Sequence, residues 1–244
     1  MKFAHLLVLL VSLLSWSLLA EVTPSYEVPK TKMQWKKNPR KADGDGIVMH
    51  CSDYGHFALL EEIDPNNKGA VEITVRLKGS RPHRELCDPA FKGQARKLPI
   101  GEGYFQGVRG KYIFVDGADG FGNQLTFEIF EVPSGKKVFQ AVRDTSQDFE
   151  VKTVKGKTEL KFFNALKVSC PLAESGLSCW EKILRDNSIP KTVSIAVPDC
   201  SASFQKANSP LSNSAIVTTS VVVRDLDKPR LTYLGGPASC TPAP

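Results

Sequence analysis

The sequence predicts a mainly β protein: antiparallel meander or sandwich-like β sheets with one short helix, pinned by disulfides. Three observations predict it. Apolar residues recur with period two in segment after segment, the signature of strands with one wet face. Gly- and Pro-bearing turns separate those segments. Six cysteines, an even number, follow an N-terminus built like an export signal.

The elements follow in chain order. Met1-Lys2-Phe3 and the apolar run from Leu6 to Leu19, ending at Ala20 before Glu21, have the charge and length of a signal peptide over residues 1–20. The run is too short for a comfortable bilayer crossing, and no later segment reaches 18 apolar residues, so the mature chain has no transmembrane segment. Residues 21–46 form a basic N-terminal arm. Within it the stretch from Lys30 to Lys41 carries Lys30, Lys32, Lys36, Lys37, Arg40 and Lys41 and no acid, equal to the whole chain's formal charge of +6, so the rest is close to neutral. An antiparallel β domain follows over 47–170. Val71, Ile73, Val75 and Leu77 alternate with Glu72, Thr74, Arg76 and Lys78, and Leu125, Phe127 and Ile129 alternate with Thr126, Glu128 and Phe130.

Shorter strands are expected at 47–51, 57–63, 112–115, 138–142, 149–154 and 160–163. Pro133-Ser134-Gly135 and Lys155-Gly156 supply turns, and residues 116–123 a longer loop. Residues 111–163 resemble one propeller blade, but the unit occurs once and no array follows. A cysteine-bearing C-terminal β region spans 171–244 and is able to pack on the same core. It holds the one helix, residues 176–186, with Leu177, Trp180 and Leu184 on one face. A strand at 192–197, a Ser/Asn-rich surface loop at 201–214, a β-branched strand at 215–223 and a last strand at 230–234 complete it.

Chemistry is sparse. Pairing in sequence order would join Cys51 to Cys87, Cys170 to Cys179 and Cys200 to Cys240, and would tie down the C-terminus. His50, Asp53 and His56 lie within seven residues, with His83 four before Cys87. They offer zinc or acid–base chemistry only if the fold gathers them, and their spacing matches no zinc motif. Asp43-Gly44-Asp45-Gly46 places Lys41 where a calcium loop needs its first acid. Asp116 and Asp119 suit a hairpin loop better than a cation site. Gly156-Lys157-Thr158 lacks the first glycine of a phosphate loop, and Gly101, Gly103 and Gly107 miss the dinucleotide spacing. No nucleophile elbow occurs. Glu61 and Glu62, adjacent on a strand, point to opposite faces and cannot form a carboxylate pair.

The expected protein is therefore exported to the periplasm or secreted, with no metal and no cofactor. It is read as a non-catalytic binding or structural module of the cell envelope or extracellular space. The expected binding residues are Lys30, Lys32, Trp35, Lys36, Lys37, Arg40 and Lys41, and the expected partner is an anionic polymer or an envelope protein. Nucleic acid is disfavoured, because one Trp is no stacking platform. The alternative is a secreted hydrolase or metal-dependent enzyme using His50, Asp53 and His56, with His83.

Overall fold

The structure, a computed structural model, describes residues 26–37, 46–79, 86–121, 124–147, 149–211 and 214–243. The signal segment at 1–20, Arg40, Lys41 and His83 lie outside those residues.

Three antiparallel ribbons follow one another. The first comprises β1 (Thr31–Lys36), β2 (Val48–Asp53), β3 (Phe57–Ile63) and β4 (Ala70–Leu77), paired in sequence order, with short β5 (Ala95–Lys97) beside β4. The second comprises β6 (Gly103–Arg109), β7 (Tyr112–Phe121), β8 (Gln124–Glu131) and β9 (Lys136–Asp144). The third opens with the hairpin of β10 (Glu150–Val154) and β11 (Lys157–Leu166). The chain then leaves the sheet for α1 (Leu172–Asp186), β12 (Ile195–Ala196) and α2 (Ser201–Lys206). It returns as β13 (Ala215–Val223), paired to β11, and β14 (Leu231–Pro242). Single bridges at Ala70–Gly103 and Arg143–Asn164 join the ribbons into one open sheet with β1 at one end and β12 at the other. No break in the sheet falls at residue 170, since β11 pairs β13 across it.

The β7–β8 hairpin at the centre of the middle ribbon is buried on both faces. Ile113, Val115 and Phe130 pack with Phe57, Leu59, Ile73 and Val75 of the first ribbon. Tyr112, Phe114, Phe127 and Ile129 pack with Leu160, Phe162, Val221 and Val223 of the third. Phe127 meets Phe162 and Phe149 edge-to-face at 5.0 and 5.1 Å, the arrangement that ring quadrupoles favour. The three disulfides join Cys51 to Cys87, Cys170 to Cys179 and Cys200 to Cys240, leaving no free cysteine.

Several elements depart from the sequence expectation. Thr31–Lys36, expected within an arm, is strand β1: its apolar Met33 and Trp35 alternate with Lys32, Gln34 and Lys36, and the charge masks the period. Among the described residues there are two helices rather than one. Ser201–Lys206 is helical despite its serines, because Phe204 is fully buried and Cys200 is bonded to Cys240. α1 starts earlier than expected and breaks at Gly176, whose φ of +54° is non-helical. Leu177 is consequently 68% exposed, and Ile183 joins Trp180 on the buried face instead. The strand at 192–197 shrinks to Ile195–Ala196, parallel to β14, while β14 runs on past Gly235-Gly236-Pro237. Asp116 is not in a loop: it is buried in β7 and ion-paired with Arg143 at 2.6 Å.

Candidate functional site

Strand register divides the chemistry of the first ribbon between two faces. Gln34, His50, Glu61 and Ile73 form one cross-strand row, and Lys32, Ser52, Leu59 and Val75 form the next on the same, front, face. Trp35, Met49, Glu62 and Glu72 form a row on the rear face. Adjacent Glu61 and Glu62 therefore serve different environments, as period two requires.

On the front face a cavity of about 530 Å³ lies between this ribbon, the segment at 26–29 and β6; Lys32, Gln34, His50, Tyr54, Glu61 and Phe105 are among its lining residues. The 26–29 segment is pinned in place. The Glu27 N–H donates to the Val108 carbonyl at 2.8 Å, and the Gly110 N–H donates to the Glu27 carboxylate at 2.6 Å. Gly107 leaves the room in which Tyr26 lies, since a Cβ there would run into the Tyr26 ring. Tyr26 in turn packs on Phe114 at 5.3 Å.

Glu61 is the electrostatic anomaly of this cavity. Its carboxyl accepts no hydrogen bond from the described residues, and burial pushes its pKa up to about 7, against a smaller opposing pull from Lys32. Burial, reinforced by Glu61 and Glu27, likewise pushes the Tyr54 phenol above its ordinary range.

The rear face shows the opposite pattern. A hollow of about 400 Å³ around Trp35, Met49 and Leu60 is lined by Lys36 and by four charges that already have partners, Lys37, Glu62, Glu72 and Arg76. Lys37 binds Glu62 at 2.8 Å and Lys97 binds Glu72 at 2.7 Å, which holds the Glu72 carboxyl below its ordinary value. Arg76 donates to the Leu86 and Asp88 carbonyls at 2.9 Å each and stacks over Phe91 at 5.0 Å.

The structure places the expected site residues as follows. Lys30, Lys32, Lys36 and Lys37 are exposed on or beside β1, the first strand of the sheet. Trp35 is half-buried on the rear face. His50 lines the front cavity. Asp53 is buried three residues on, and its carboxylate accepts the Gly55 N–H at 2.6 Å, fixing the β2–β3 turn. His56 is exposed in that turn, edge-on to Phe57 at 5.0 Å. An odd separation puts His50 and Asp53 on opposite faces of β2, so the fold does not gather the triad. Among the described residues no three His, Cys, Asp or Glu side chains stand close enough to hold a metal, and the Cys51 sulfur is committed to its disulfide.

Glu61 is the residue that sequence reasoning missed. The signal was present in the inward row of β3, where Phe57, Leu59 and Ile63 are apolar and position 61 alone is an acid.

Comparison with known protein families, with curated proteins and with solved structures finds no match to this chain. No helix among the described residues is long and apolar enough to cross a membrane. The three disulfides fit an oxidising compartment.

Proposed function

We propose that the protein is an exported, non-catalytic binding module of the cell envelope or extracellular space, and that it holds an anionic polymer along β1. The observation that carries this reading is the exposure of Lys30, Lys32 and Lys36 on or beside the first strand of an open sheet, with Lys37, paired to Glu62, next to them. An extended strand spaces Lys32 and Lys36 by about 13 Å, beyond the screening length of about 8 Å at physiological salt, so each lysine meets its own anionic group of a polymer. Such a ridge follows an extended polyanion well. Lysines on an edge strand also discourage pairing with other sheets, which by itself would explain their presence; the two roles separate on a column.

The mature protein and a Lys30→Glu/Lys36→Glu variant would be run over a dextran sulfate matrix at low salt. The expected result is strong, salt-sensitive retention of the wild type and early elution of the variant. Equal elution of the two proteins would reduce the lysines to edge guards and remove this reading.

A further inference from the structure

The front cavity bears on what the polymer is made of. We propose that it is a sugar subsite, taking one ring of an acidic glycan, with Glu61 and His50 meeting its hydroxyls and Lys32 its acid group. This assignment rests on the polymer reading above and narrows it.

The first argument is one of unmet hydrogen bonding. Glu61 is an acceptor that is partly buried, makes no hydrogen bond to the described residues and opens onto the cavity. Its carboxyl is left to water, so its hydrogen-bonding capacity stands free for a ligand. A ligand that supplies donors at this point takes the place of that water.

The second argument separates the kinds of polyanion. A polyphosphate chain presents acceptors and negative charge only, so it would repel an ionised Glu61. A glycan presents hydroxyls, which donate as well as accept, next to its acid groups. The Gln34–His50–Glu61 row offers an amide, an imidazole and a carboxyl at successive cross-strand positions, roughly 5 Å apart. That spacing suits several hydroxyls fixed on one rigid ring. The row then ends on Ile73, which is fully buried, so the slot closes behind the ligand.

The third argument is shape. Tyr26, Tyr54 and Phe105 line the same cavity and supply apolar atoms on which the C–H faces of a sugar can pack. The volume falls within the range of small-molecule sites. Lys32 belongs both to the basic strand and to the cavity wall, so polymer track and subsite are continuous.

Calorimetry on the mature protein at pH 7 would use a galacturonate tetramer, a chondroitin sulfate tetrasaccharide and a polyphosphate of matching charge. At least one saccharide is expected to bind, with Glu61→Ala weakening it about tenfold, the effect of one lost hydrogen bond to a charged group. Glu61→Gln should bind within a few-fold of wild type, since the amide keeps an acceptor. Glu62→Ala, one residue away on the rear face, should change nothing. Polyphosphate binding should be unaltered or tighter in Glu61→Ala, and thermal melts of each variant would verify the fold. Saccharide binding indifferent to Glu61→Ala overturns the subsite. Polyphosphate binding without saccharide binding overturns the glycan while leaving the basic track intact. No binding by any of the three removes both.

Discussion

The β7–β8 hairpin and the β1–β3 ribbon are both built on period-two alternation, yet one is the centre of the molecule and the other its candidate working surface. In β7 and β8 both parities are largely apolar: Phe114, Phe127 and Ile129 face one way, Ile113, Val115 and Phe130 the other. In the first ribbon the front parity grades from Gln34 at the edge through His50 and Glu61 to Ile73 in the core. Alternation therefore says only that a segment is a strand. Which side chains fill the second parity decides whether it becomes interior or surface, and a polar residue set in an apolar parity marks where the two meet.

The largest test of this contrast is Phe127→Ala. Phe127 is 1% exposed and ringed by Phe139, Phe149 and Phe162. Truncating it should cost about 3–5 kcal/mol in urea unfolding, through lost burial and the cavity left behind. Gln34→Ala, at the exposed end of the polar row, should stay within about 0.5 kcal/mol. A cost below 1 kcal/mol for Phe127→Ala would mean that burial on both faces does not hold the β7–β8 hairpin.

A disulfide sharpens the same comparison. The middle ribbon contains no cysteine, whereas the rear face of the first carries Cys51–Cys87 within the small cluster of Met49, Ala58, Leu60 and Leu86. That ribbon is stapled as well as packed. Chain-entropy scaling for a sequence separation of 36 gives about 4 kcal/mol, against about 2.5 kcal/mol for the separation of 9 between Cys170 and Cys179. Cys51→Ala/Cys87→Ala should therefore lower the urea midpoint more than Cys170→Ala/Cys179→Ala does. The reverse order would place the weaker half of the fold around α1.

Much of this architecture was legible in the sequence, and the exceptions share a cause. β4, β8 and β13 alternate or run apolar without interruption, and the disulfides pair in chain order, so local pattern sufficed. β1 was hidden because a polar edge strand looks like a solvated arm until its partner is known. α2 exists because tertiary contacts at Phe204 and Cys200 override a serine-rich composition. β14 holds through two glycines and a proline because β13 pairs with it on either side of that stretch. The candidate site was only half legible. The basic cluster stood out by charge, but Glu61 acquires its character from the 26–29 segment and β6 folding over it, and neither is near it in the chain.

The finest test concerns the proton on Glu61. Its pKa is about 7 in the folded protein against an ordinary 4.5. Between those values the folded state keeps a proton that the unfolded chain has released. Linkage then requires stability to fall as pH rises through that window, and the loss is complete above about pH 7. The direction is opposite to that of a salt-bridged carboxylate such as Glu72, whose pKa is lowered by Lys97 and whose contribution disappears in acid. Glu61→Gln removes the ionisation while keeping the shape. The variant and the wild type should melt together near pH 4.5 and separate as pH rises, with the variant ahead by about 2–5 °C at pH 8. Water reaching the carboxyl through the cavity keeps the effect this small. A constant difference across the window would mean that the cleft leaves Glu61 as solvated as any surface acid, and the distinction between its front-face environment and the paired charges on the rear would collapse.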